Sequence, residues 1–141
     1  MTEEEVMTAA MVREAWEARE HALPVLSGYR VGAAVLTPGM RVYTGCNIET
    51  GTAKVCLCAE VCALYGALSS GEREFKLLAV AAEGRSPVPP CGHCRQVLSE
   101  FAPGIRIVSE NERGERREWR LADLLPEAYR FEPQTKGGRP R

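Results

Sequence analysis

Apolar residues recur at helical spacing from the start of the chain. Met7, Met11, Ala15, Ala18 and Ala22 predict a helix over 3–22 that ends before Pro24. Thr2 and Glu5 have the spacing of a capping box, and Glu3–Glu5 put negative charge where a helix N-terminus favours it. The period then changes. Tyr29–Leu36 and Arg41–Asn47 read as two antiparallel strands about a Pro38-Gly39 turn. Polar Glu49–Lys54 is a loop, after which Leu57, Val61, Leu64 and Leu68 mark one face of a helix stopped by Gly71. Leu77–Ala82 is unbroken apolar, the pattern of a strand buried on both faces. Proline-rich Gly84–Pro90 is a loop. Gly92–Phe101 predicts a short helix closed by Pro103-Gly104, and Ile105–Val108 a second buried strand. Charged Asn111–Arg117 predicts a hairpin loop, followed by a last strand at Glu118–Leu121 and a helical turn at Leu121–Leu125. This order predicts an α/β fold, a three-layer α/β/α sandwich around a mixed five-stranded sheet.

Composition narrows the function classes. A chain of 141 residues, 45% hydrophobic and 26% charged, fits one soluble domain with a single core. Its 18 Lys+Arg and 19 Asp+Glu are interspersed and the net charge is -1, which argues against a nucleic-acid partner. The one basic bias, Lys136–Arg141, reads as a frayed terminus. No stretch approaches a membrane span, and the acidic Met1–Glu5 start, with no apolar run behind it, does not read as a secretory leader. A cytoplasmic location is therefore expected. In that reducing setting six cysteines call for a metal, a catalytic role or simple burial rather than disulfides.

Two segments carry chemistry: Cys58-Ala59-Glu60 and Pro90-Cys91-Gly92-His93-Cys94. Each falls where a loop runs into a helix N-terminus, whose unpaired N–H groups and positive dipole favour thiolate over thiol. Three thiolates from two such ends suffice to hold Zn²⁺ and leave its fourth position open, the mark of a catalytic site. Glu60, two residues beyond Cys58, would lie beside the metal without ligating it, placed to move protons between a metal-activated water and a substrate. A closed structural site would need a fourth ligand, and Cys56, Cys62 and His93 are candidates for it. Together the two segments match the Cys-x-Glu … Pro-Cys-x-x-Cys pattern of zinc deaminases acting on nucleobases.

Further stretches extend the match: Val31-Gly32-Ala33-Ala34, Gly45-Cys46-Asn47-Ile48-Glu49, the run through Arg95-Gln96-Val97-Leu98, and Leu124-Leu125-Pro126. From about residue 5 to 131 the chain resembles the small homotetrameric cytidine deaminases. The resemblance implies a cytidine deaminase-like catalytic domain over 1–131 with a tail at 132–141, and one zinc per chain on Cys58, Cys91 and Cys94. It implies Glu60 as proton shuttle, and Asn47 and Glu49 as the pair that binds the ribose 3′-hydroxyl. Tyr29 matches an aromatic that packs on the pyrimidine, and the backbone near Ala59 and Pro89 is expected at the ring amide and leaving group. The implied reaction is hydrolysis of cytidine or deoxycytidine to uridine or deoxyuridine and ammonia. The implied assembly is a homotetramer with sites at subunit interfaces, in which Tyr129 closes a neighbour's pocket.

Three positions depart from that family. Val61 stands where an Arg usually offsets the thiolate charge, which leaves His93, Arg95 or Lys54 to do so. Ala53 replaces a Tyr that contacts the 5′ side of the sugar, and Tyr129 replaces a Phe. Blasticidin S deaminases are similar in lacking the Arg, and a deaminase of a cytosine nucleoside antibiotic or modified cytidine is the alternative. Glu49 argues for a ribose-type sugar instead. Cys46, Cys56 and Cys62 read as buried thiols, and Trp16 and Trp119 as packing residues.

Overall fold

A computed structural model describes residues 1–132. Helix α1 (Glu3–Arg19) begins on the expected capping box: the Glu5 N–H donates to Thr2 Oγ1 at 3.1 Å and the Thr2 N–H to Glu5 Oε2 at 3.3 Å. It stops short of the predicted residue 22. The Arg30 guanidinium takes the Ala22 carbonyl at 2.8 Å and the Leu23 N–H pairs with the Asn47 carbonyl, so the backbone there serves a loop contact and not another helical turn.

Strands β1 (Val31–Leu36) and β2 (Val42–Cys46) form the expected hairpin, each slightly shorter than predicted, so Tyr29 lies in the loop before β1. Helix α2 (Ala59–Ser69), β3 (Leu77–Ala82), helix α3 (Gly92–Phe101) and β4 (Arg106–Glu110) follow. Next come β5 (Arg116–Arg120) and the single-turn helix α4 (Leu121–Leu124). The sheet order is β2-β1-β3-β4-β5, with β3 and β4 parallel and the other neighbours antiparallel, which makes the sheet mixed. Strand β5 starts two residues before the predicted position. It is an exposed edge strand held partly by charge: Arg116 Nε lies 2.6 Å from Glu110 Oε2, and Arg106 Nε 2.6 Å from Glu118 Oε1.

Alternation along the strands builds the three layers. Ala34, Leu36, Leu77, Ala79, Ala81 and Val108 face Met11, Val12 and Ala15 of α1. Ala33, Val35, Leu78, Val80 and Ile107 face α2 and α3 on the other side. Two glycines set how closely the layers meet. A Cβ on Gly32 would sit 1.9 Å from the Ala15 carbonyl oxygen, and one on Gly45 would sit 2.4 Å from the Ala63 nitrogen and 2.7 Å from the Ala59 oxygen. Gly32 thus admits α1, and Gly45 admits the first turns of α2.

Register fixes where a site can form. Gly32 pairs with Cys46 and Val31 with Ala82, so the start of β1 and the ends of β2 and β3 share one edge of the sheet. The loops that leave this edge carry Tyr29, Asn47, Glu49 and the Gly84–Pro90 segment. No helix among the described residues is long and apolar enough to cross a membrane. The expected tail over 132–141 lies outside the described residues except for Glu132.

Candidate active site

Cys58 caps α2 and Cys91 caps α3, both in extended backbone and neither using its side chain to cap its helix. The first-turn N–H groups of two helices therefore face the same small volume, which Cys94, fully buried, enters from the first turn of α3. The Cys58 and Cys91 sulfurs lie 3.8 Å apart, those of Cys91 and Cys94 3.4 Å apart, and all three within 4.8 Å of one another. Tetrahedral zinc with Zn–S bonds of about 2.3 Å separates its sulfurs by about 3.8 Å, so the donor set fits that ion. Among the described residues this trio is the one group of His, Cys, Asp and Glu able to hold a metal, and Cys56, Cys62 and His93 are not in it. A fourth position is left to solvent or substrate.

Hydrogen bonding from Cys94 and Cys91 holds Cys58 down to about 6, against the opposing effect of burial. Cys94 is pushed up by hydrogen bonding with Cys58 and by burial. Of the residues expected to offset the thiolate charge, His93 bears on Cys58 and favours its ionised form. Arg95 does not. Its Nε donates to the Pro90 carbonyl at 2.8 Å and its Nη1 to the Leu124 carbonyl at 3.1 Å, so it braces the turn into Cys91 against α4. Lys54 stands on an exposed loop, and Val61, where the resemblance led one to expect Arg, is buried in the core.

Glu60 occupies the first turn of α2 and is 6% exposed. Burial, reinforced by the charge of Cys58, raises its carboxyl to about 7, although its own N–H and the Cys94 thiol donate to it. Such a group changes protonation near neutral pH, as a proton shuttle must.

A cleft of about 300 Å³ runs beside these groups, lined by Tyr29, Val31, Leu57, Val88 and Pro89 on its apolar walls and by Ser27, Asn47 and Glu49 at a polar end. Cys58, Ala59, Glu60 and Cys91 line it too. The Tyr29 hydroxyl donates to the Glu83 carbonyl, tying the loop before β1 to the loop after β3. Asn47 is buried: its Oδ1 accepts from the Val31 N–H at 2.8 Å, and its Nδ2 donates to the Tyr29 carbonyl at 2.8 Å and to Glu49 Oε2 at 3.2 Å.

The structure therefore brings together Tyr29, Asn47, Glu49, Cys58, Ala59, Glu60, Cys91 and Cys94. Tyr129 stands apart from them. It is 69% exposed, its carbonyl accepts from Gln96 Nε2 at 2.8 Å, and it borders a different cavity with Leu121, Leu125 and Pro126. Of the remaining cysteines, Cys46 is buried as expected, whereas Cys56 and Cys62 are only half-buried; Cys56 lines the cleft, where its sulfur accepts from the Thr50 N–H. One residue of the site was not signalled by the sequence, Ser27, because a Leu-Ser-Gly turn looks ordinary until its partners are placed.

The chain matches the family described as the cytidine and deoxycytidylate deaminase zinc-binding region over residues 4–109. It is 42% identical over 120 residues to the cytidine deaminase of Sporosarcina psychrophila, covering 84% of this chain and 88% of that one. A crystal structure of the cytidine deaminase from Burkholderia pseudomallei superposes with a TM-score of 0.83 at 39% identity, covering 92% of this chain and all of the other. The blasticidin-S deaminase of Bacillus cereus is more distant, 28% identical over 109 residues, 72% of this chain and 77% of that one. Sequence, fold and the clustered thiols agree, and the chain belongs to the cytidine and deoxycytidylate deaminase family.

Proposed function

We infer that the protein is a zinc-dependent aminohydrolase that converts cytidine or deoxycytidine and water to uridine or deoxyuridine and ammonia. The observation that carries this is the pairing of a three-thiol cluster able to hold a metal with the buried carboxyl of Glu60 beside it. Cys58, Cys91 and Cys94 would hold the zinc, which would supply Lewis acidity and lower the pKa of a water to about 7. Glu60 accepts the proton released there, delivers it to ring N3, and serves again when the amine at C4 departs. Its position in the first turn of α2, two residues from a ligand, keeps it near the reacting atoms without making it a ligand.

Tyr29, Val31, Leu57, Val88 and Pro89 offer apolar walls suited to a flat ring, and the backbone at Ala59 and Pro89, which also line the cleft, would border the ring's polar edge. Asn47 and Glu49 supply an amide and a carboxylate at the far end, where a sugar hydroxyl would be read. A carboxylate there favours a ribose-type nucleoside over an antibiotic cytosine nucleoside, in line with the greater likeness to cytidine deaminases. The balanced charge supports a free nucleoside and not a polymer as substrate.

The assembly proposed is a homotetramer. Tyr129 is largely exposed and outside its own cleft, and Leu26 and Val55, next to cleft-lining Ser27 and Cys56, are exposed as well. These features suit a cleft finished by a neighbouring subunit, with Tyr129 entering a partner's site. The test of the whole reading is a panel of cytidine, deoxycytidine, 5-substituted cytidines, cytosine and blasticidin S, followed by the absorbance change on deamination, with light scattering on the same sample. Turnover of the two cytidines by a tetramer is expected. Turnover of blasticidin S alone, or an active monomer, would overturn the substrate or the shared-site reading respectively.

A further inference from the structure

The polar end of the cleft is built around Glu49 more tightly than a loop carboxylate requires. Its Oε1 accepts from the Leu26 N–H at 2.9 Å and the Ser27 N–H at 2.8 Å. Its Oε2 accepts from the Ser27 hydroxyl at 2.7 Å and from Asn47 Nδ2 at 3.2 Å. These donors hold Glu49 well below the usual carboxylate range, the Ser27 hydroxyl first among them. A carboxylate offers about four acceptor sites, and the 3.2 Å Asn47 contact is the longest of the four, so its place on Oε2 is the one a sugar hydroxyl would take over.

We propose that Ser27 is a positioning residue for sugar recognition: its hydroxyl fixes the plane of the Glu49 carboxylate and presents Oε2 to the substrate's sugar hydroxyl. The inference rests on the reading of Glu49 as the sugar-binding carboxylate. The donors differ in freedom. The Leu26 and Ser27 N–H groups are fixed in the backbone, and the Asn47 amide is pinned by Val31 and Tyr29. The Ser27 hydroxyl alone turns about a single bond, and it is itself held by the Tyr29 N–H, which donates to Ser27 Oγ at 3.1 Å. Charge-assisted O–H···O⁻ bonds are the strong ones, and this is the shortest at Glu49. Without it Oε2 keeps only the long Asn47 contact, the carboxylate swings about its Oε1 anchors, and water competes for the freed lone pair. Tyr29 and Glu49 are thereby coupled through one side chain, so the ring end and the sugar end of the cleft keep a fixed separation.

The test is steady-state kinetics of the intact enzyme with cytidine and 2′,3′-dideoxycytidine, for Ser27→Ala, Ser27→Thr and Glu49→Ala. Ser27→Ala is expected to raise KM for cytidine about tenfold more than KM for the dideoxy substrate, with the larger effect in KM and not in kcat, because the contact to the sugar hydroxyl is the one chiefly weakened. Ser27→Thr, which keeps the hydroxyl, is expected to restore the cytidine KM. Wild-type behaviour of Ser27→Ala, or equal losses on both substrates, would overturn the proposal while Glu49→Ala still discriminates between them. If Glu49→Ala also harms both substrates alike, the sugar reading of Glu49 itself fails, and the proposal with it.

Discussion

Cys58 and Cys91 cap two different helices, 33 positions apart in sequence, yet their sulfurs meet 3.8 Å apart at one edge of the sheet. The meeting depends on how closely α2 approaches β2 and on how firmly the turn before α3 is held. Both dependencies are attached to single residues.

Gly45 controls the first. Replacing it with Ala drives a Cβ against the Ala63 nitrogen and the Ala59 oxygen, backbone atoms of the first turns of α2 that have no flexible end to yield. The helix must lift, and Cys58 and Glu60 lift with it. Gly45→Ala is expected to lose about 2 kcal/mol of stability in urea melts and to lower zinc content together with turnover. A variant that melts like wild type with full zinc would contradict this role.

Arg95 controls the second. Its two bonds to the Pro90 and Leu124 carbonyls hold the turn that delivers Cys91. Arg95→Ala is expected to weaken zinc retention about tenfold or more in competition with a chromogenic chelator, the size seen when groups that orient metal ligands are removed. Arg95→Lys is expected to restore little, since a single ammonium cannot reach both carbonyls in the geometry of a guanidinium fork.

A third expectation concerns pH. Glu72, just beyond α2, accepts from the Tyr43 hydroxyl at 2.8 Å and from Arg41 Nη1 at 3.1 Å, and these donors lower its carboxyl. A carboxyl lowered on folding stabilises the protein above its unfolded pKa of about 4.3 and loses that contribution as pH falls through the folded value. Glu72→Gln is therefore expected to melt below wild type at pH 7, with the gap closing on acidification below about pH 4. A gap that persists unchanged at pH 3 would mean that packing, not the charge, carries the effect.

Much of this arrangement could be read from the chain, and the reasons are local. The capping box of Thr2 and Glu5, the apolar run Leu77–Ala82 and the cysteines before two helical patterns are each set within a few residues. What escaped the sequence depends on distant partners. Helix α1 ends early as the Glu20, His21 and Ala22 N–H groups tighten to bonds three residues back, and Arg30 reaches in from beyond the helix to the Glu20 and Ala22 carbonyls. Strand β5 begins at Arg116 because charged side chains pair across to β4, a signal that hydrophobic alternation does not contain. Gly32 and Gly45 stood in motifs, but the reason for them, backbone meeting backbone, needs the packed layers. Ser27 became informative only when Glu49 was found 22 positions away on the same loop cluster.

On the proposed reading, Glu60 moves protons beside a metal that it does not hold. Glu60→Gln keeps the size and polarity of the side chain and removes only the titrating group. The most direct measurement pairs zinc content by mass spectrometry with cytidine turnover on the same purified variant. One zinc per chain with turnover reduced by roughly 10²-fold to 10⁴-fold, the usual worth of general acid–base catalysis, is the expected result. Full zinc with turnover near that of wild type would contradict the assigned role, and loss of the zinc would show that Glu60 is a ligand after all.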